Sequence, residues 1–148
     1  MRLHGVKHSP APYFDLEEEV NIQKAIQNLI KNKMIQSAHD VSEGGIFVTL
    51  MESGMSRNLG FELENPKNTE GVRSDAYLFG ESQSRVVVSI KPTEMIDFEA
   101  FLTELGVDFS KIGRVKGEQV NIYGEDWGNI TTWKKTYDNL LGDIMNDN

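Results

Sequence analysis

Apolar residues at Ile22, Ile26, Leu29 and Ile30 recur at helical spacing and define the first long element of the chain. Asp15 stands where an N-cap belongs, and Glu18 follows three positions later, as in a capping box. Glu17, Glu18 and Glu19 fill a first turn that favours anions, and Lys31 and Lys33 fill a last turn that favours cations. This pattern predicts a helix over about residues 16–32, and it explains the acidic run as dipole complement and solvated face. Met34 to Ala38 reads as a short strand. Ile46 to Met51 is a dense apolar run ended by Gly54, too apolar all round for a surface helix, so a buried second helix is expected.

Leu59 to Leu63 alternates and predicts a strand, followed by a polar loop over 64–72. Ser74 is placed to cap a short helix through Leu78, stopped by Gly80. The clearest strand is Arg85 to Ile90, whose unbroken β-branched centre predicts cover on both faces. Thr93 is placed to cap a third long helix carrying Ile96, Phe98, Phe101, Leu102 and Leu105, with Gly106 at its stop. Phe109 to Val115 and Gln119 to Tyr123 are expected to pair as a hairpin across Lys116-Gly117-Glu118. Trp133, Tyr137, Leu140, Leu141 and Ile144 share one face of an amphipathic C-terminal helix. Helices thus alternate with strands, which predicts a sheet with helices packed on it, mixed rather than purely parallel.

Pro10 and Pro12 keep the first 14 residues from starting as regular helix, so 1–14 reads as an extended incoming arm and 15–148 as one domain. Composition is that of an ordinary soluble domain, with no apolar run long enough for a membrane helix and no signal-peptide pattern. The absence of cysteine excludes disulfides and thiolate chemistry and fits a cytoplasmic setting. A net charge of −8 disfavours nucleic-acid binding, since an acidic domain gains nothing from counterion release. No membrane partner is expected either.

Two segments carry candidate chemistry. His39-Asp40-Val41-Ser42-Glu43-Gly44-Gly45 closes a predicted strand and opens a predicted helix. On one reading Ser42 and the N–H groups after it hold a phosphate at the helix start, with Asp40 or Glu43 on a magnesium ion. On the other, Ser42 is only the helix N-cap and the glycines allow close packing. Gly80-Glu81-Ser82-Gln83-Ser84-Arg85 leads into the strongest strand. It reads either as a hydrogen-bonding loop around a polar ligand or as a local Glu81–Arg85 ion pair with turn-forming serines. Trp127 and Trp133 are expected in the core. His4 and His8 lack nearby carboxylates for a metal site, and no P-loop, GxSxG or HExxH pattern occurs.

Ser37-Ala38-His39-Asp40-Val41-Ser42-Glu43-Gly44-Gly45 resembles a signature segment of the phosphoribosylformylglycinamidine synthase family. Pro10 to Glu17 resembles that family's proline-rich entrance and DLE helix start, Phe79 to Arg85 its FGES-x-SR segment, and Phe109 to Val115 its IG-x-V strand. The resemblance runs over nearly the whole chain and is to the last, aminoimidazole ribonucleotide synthetase-type domain of the synthetase subunit. It implies an α/β (α+β) sandwich with a central mixed sheet flanked by helices and partial ferredoxin-like topology. It also implies ATP and Mg2+ as cofactors of the intact enzyme, with partners in the preceding domains of the same polypeptide and in a glutaminase subunit or domain.

The implied reaction converts formylglycinamide ribonucleotide to formylglycinamidine ribonucleotide at the expense of ATP and glutamine. The family's catalytic histidine, ATP lysine and main metal ligands have no matching position here, so no catalytic or metal residue is assigned and the chain alone is expected to be silent. Glu81, Ser82 and Gln83 match a triplet that binds substrate in the related first-half domain. The second-half copy is expected to be an auxiliary nucleotide site or a structural element. Asp40, Ser42, Gly44, Gly45, Glu81, Ser82 and Gln83 are therefore the candidate ligand cleft. Two alternatives stand beside this reading: a domain of a related ATP-using synthetase, of the aminoimidazole ribonucleotide, selenophosphate or thiamine-phosphate type, and a free-standing non-catalytic module of the same fold.

Overall fold

In the computed structural model, residues 14–65 and 71–146 are described. The predicted proline arm, apart from Phe14, and the middle of the 64–72 loop lie outside them. Helix α1 runs Leu16–Lys31, and the Asp15 carboxylate caps it by accepting from the Glu17 and Glu18 N–H groups at 2.9 and 3.1 Å. Strand β1 is Ser37–Asp40, later than expected because Met34 and Ile35 leave the helix end to pack on a core instead of entering the ladder. Helix α2 is Gly45–Met55, β2 is Phe61–Leu63 and α3 is Ser74–Phe79. The N-cap of α3 is Arg73, so Ser74 is its first residue and does not cap it.

Among the described residues strand β3, Val86–Ser89, pairs antiparallel with β1 alone. All four of its residues are half-buried, so the expected cover on both faces is only partial among the described residues. A 3-10 turn at Pro92–Glu94 precedes α4, Met95–Glu104, whose cap position is Glu94 rather than Thr93. Strands β4 (Gly113–Val115), β5 (Gln119–Ile122) and β6 (Glu125–Asn129) lead into α5, Ile130–Asn146.

The expected hairpin between 109–115 and 119–123 does not form. Strand β2 lies between β4 and β5, antiparallel to the first and parallel to the second, giving the order β4-β2-β5-β6. The 116–119 connection instead arches over Gly60, where Gly60 N–H donates to Gly117 O at 2.7 Å and Lys116 N–H to Gly60 O at 3.0 Å. A Cβ at Gly60 would lie 2.2 Å from the Gln119 carbonyl oxygen, so this arch needs glycine beneath it. The true hairpin is β5–β6, turned by Tyr123 and Gly124, both at positive φ (55° and 85°). Two consecutive left-handed residues are the geometry of a tight turn whose twist matches its strands.

The fold is α/β with a mixed four-stranded sheet, and the β1–β3 ribbon stands as a separate sheet. Two cores result. One packs Phe47, Met51 and Met55 of α2 and Leu78 of α3 on Phe61, Leu63, Val120 and Ile122 of the mixed sheet, with Ile130 of α5. Trp127 and Trp133 pack against it, as expected. The other packs Ala25 and Leu29 of α1 against Phe98 and Leu102 of α4, over Val88 and Ile90.

Candidate functional site

Pairing of β1 with β3 puts Asp40 opposite Val86. The turn that leaves β1 and the loop that enters β3 therefore lie side by side. Val41 N–H donates to Arg85 O at 2.9 Å, and Gly44 N–H donates to Glu81 Oε1 at 3.0 Å. Gly44 is the N-cap of α2, with φ 81° and no side-chain cap. The Glu81 carboxylate thus takes the place of a capping side chain, and the helix end that favours an anion receives one from within the chain.

Ser42 is not the N-cap considered from sequence. It is exposed, its carbonyl accepts from Gly45 N–H at 3.1 Å, and its hydroxyl bonds no described residue. Gly45 has φ 67°, and a Cβ there would lie 2.6 Å from the Leu78 carbonyl oxygen. Both its conformation and the close α2–α3 packing require glycine. The Asp40 side chain is 79% exposed. Ser82 and Gln83 are exposed and make no side-chain bond to a described residue. The structure therefore joins Gly44 to Glu81 directly and leaves Asp40, Ser42, Ser82 and Gln83 as outward polar groups on the same two connections.

The Glu81–Arg85 ion pair considered from sequence does not form. Arg85 turns back on its own loop, donating to the carbonyls of Gly80 and Ser82. Burial pulls its guanidinium below its ordinary value and pushes the neighbouring Tyr77 phenol up. Ser84 sits at φ 60° and donates to Glu19 Oε2 of α1 at 2.7 Å. That bond, with a second from Gln23, holds the Glu19 carboxyl below its usual range. The loop is thus anchored at Gly44, at Arg85 and at α1, leaving its middle facing outward.

Among the described residues no three His, Asp or Glu side chains converge, so this chain builds no metal site from its own side chains there. A cavity of about 310 Å³ lies between α3 and the β5–β6 hairpin, floored by Leu78, Phe79, Ile122, Tyr123 and Trp127. None of the seven candidate residues lines it.

Sequence reasoning missed one linkage at this site. His39 Nε2 lies 3.2 Å from Glu52 Oε2, and Tyr137 donates to Glu52 Oε1 at 2.6 Å. His39 Nδ1 lies 2.8 Å from Asp40 O. The available signal was that Glu52 is the lone charge in the otherwise apolar or neutral α2.

An α/β domain whose strand-to-helix turn is clamped to a polar loop by one carboxylate is the arrangement that known proteins can be compared with. The family described as AIR synthase related protein, C-terminal domain, matches residues 4–124, and the chain belongs to that family. The phosphoribosylformylglycinamidine synthase subunit PurL of Salinibacter ruber is 45% identical over 115 residues, covering 76% of this chain and 15% of that protein. The subunit of the same name from Alkaliphilus metalliredigens is 34% identical over 120 residues, covering 81% of this chain and 16% of that protein. The chain therefore spans about a sixth of the length of these relatives. The structure of Thermotoga maritima PurL complexed with FGAR shares the fold, with a TM-score of 0.72 and 17% identity, over 87% of this chain and 23% of that one.

Proposed function

We propose that this chain is the C-terminal synthetase-type domain of a phosphoribosylformylglycinamidine synthase. The observation that carries the reading is the 45% identity to a PurL subunit over most of the chain. The reaction would join ATP, formylglycinamide ribonucleotide, glutamine and water to give formylglycinamidine ribonucleotide, ADP, phosphate and glutamate. ATP phosphorylates the substrate's amide oxygen, and ammonia released from glutamine displaces the phosphate. The partners are the preceding domains of the same polypeptide and a glutaminase, in keeping with a Thermotoga maritima PurLQS assembly among the structures of the same fold. The chain contributes a wall and no catalytic group.

Within that reading, Asp40, Ser42, Gly44, Gly45, Glu81, Ser82 and Gln83 form one face of a ligand cleft. Glu81 holds the two connections together, while Ser42, Ser82 and Gln83 offer free polar side chains to what binds. The Glu81 carboxylate on Gly44 N–H argues that a phosphate would have to displace it, which favours contact through the neighbouring hydroxyls and amide.

The test is a chimera in which this chain replaces the corresponding domain of the Salinibacter ruber subunit. ATP- and glutamine-dependent formation of the amidine product by the chimera, with none by the chain alone, supports the proposal. A folded but inactive chimera overturns it. In the active chimera, S42A and E81A should lower activity or retained nucleotide without unfolding the protein. Unchanged kinetics and unchanged bound nucleotide in both would remove the cleft assignment.

A further inference from the structure

Both ring nitrogens of His39 face acceptors, the Asp40 carbonyl oxygen at 2.8 Å and Glu52 Oε2 at 3.2 Å. Neither nitrogen is left over to act as a base or to ligate a metal. The ring is placed as a strut. The Asp40 carbonyl that it engages also accepts from Thr49 Oγ1 at 3.4 Å, and the same hydroxyl reaches Gly45 O at 3.0 Å. On the far side, Glu52 is held by Tyr137 at 2.6 Å. One continuous path of polar contacts therefore runs from α5 through Tyr137, Glu52, His39, the Asp40 carbonyl and Thr49 to Gly45. Helix α5 lies beyond residues 4–124, the part that the family match covers.

We propose that Glu52 and Tyr137 are positioning residues for the 40–45 turn, and that through them α5 sets the geometry of the candidate cleft. The proposal rests on the cleft reading above for its functional meaning, though its structural core does not depend on it. The path has no redundancy at Glu52, because that one carboxylate receives both Tyr137 and His39. A linear network of this kind loses its far-end effect when any member is removed, so effects along it do not add.

The experiment is amide NMR and hydrogen exchange on the full chain, with variants E52A, Y137F, E52A/Y137F and E52Q. K134A serves as control, since it breaks the Lys134–Asp138 pair on the same helix without touching the path. E52A and Y137F are expected to move the Gly44 and Gly45 amide signals and to speed exchange of Gly44 N–H about three- to tenfold, the factor for losing one hydrogen bond. The double variant should go no further than E52A, and K134A should leave both signals in place. Gln at 52 can still accept from Tyr137 through its amide oxygen and keep a polar group against His39 Nε2, so E52Q should restore protection of Gly44.

Global stability is followed in parallel by thermal unfolding. If E52A lowers the melting temperature while Gly44 and Gly45 do not respond, Glu52 is merely structural and the proposal fails. Additive effects of E52A and Y137F, or equal effects from K134A, overturn it as well. Failure of the cleft reading shows separately, as unchanged kinetics of S42A and E81A in the chimera.

Discussion

Glycine at 45 does two jobs that no other side chain permits, and it is the residue where the signature segment is least replaceable. Its φ of 67° belongs to the left-handed region, and a Cβ would lie 2.6 Å from Leu78 O and 2.8 Å from the Phe79 Cα. G45A should therefore cost about 2 kcal/mol or more, because the strain and the clash act together. Gly128 makes the comparison: its φ is 89°, but a Cβ there would meet nothing within 4 Å. G128A should cost only about 1 kcal/mol, the conformational part alone. Urea unfolding of the two variants measures the difference. From sequence the glycine pair was legible as a special turn, and so was its place before a helix. The anion it binds was not legible, because Glu81 lies 37 positions away and residue types alone do not say which carboxylate reaches back.

Among the elements, the helices and the short β2, α3 and β3 were legible, while β6 and the partner of β4 and β5 were not. Helix α1 was readable from its spacing, its Asp15 cap and its acidic first turn, all of which are local. Strand β6 was missed because Glu125, Asp126, Gly128 and Asn129 are poor strand formers, and only Trp127 suggests a strand. The β4–β5 hairpin was mispredicted because insertion of β2 between them is a long-range event, and its one local trace is the lack of a side chain at Gly60.

The β2–β4 junction carries its own test. Glu62 accepts from Arg114 and Lys116, and these bonds hold its carboxyl below its ordinary value of 4.5. A carboxylate depressed in the folded state adds stability above its unfolded value, and that contribution fades as pH falls through the folded one. The wild-type chain should therefore lose stability between about pH 6 and about pH 3 more steeply than E62Q. Denaturant midpoints across that range would show it. Equal slopes would mean that the exposed triad contributes nothing measurable.

At the scale of the whole molecule the division into two cores matters most. The α1–α4 core rests on a ribbon of two strands, whereas the α2–α3–α5 core rests on a sheet of four. Leu29 is 1% exposed at the centre of the smaller core, and L29A should cost about 2–5 kcal/mol. Hydrogen exchange should place that loss first in α1, α4 and the β1–β3 ribbon. Because the ribbon carries both connections of the candidate cleft, softening this core should also raise exchange at Gly44, and the cleft is thus coupled to the half of the protein with the smaller support.

Both tryptophans of the chain touch the same ring, with Trp127 and Trp133 centred 5.4 and 5.5 Å from Phe47, and the Trp133 indole N–H donates to the Trp127 carbonyl oxygen. Intrinsic emission is therefore a one-sided reporter. It records the solvent exposure of the α2–α5 core and is blind to the α1–α4 core, which holds no tryptophan. Circular dichroism, by contrast, weighs helices from both. If the two cores open together, emission and ellipticity will trace one curve. If the smaller opens first, ellipticity will fall while the tryptophans still glow as in the native protein.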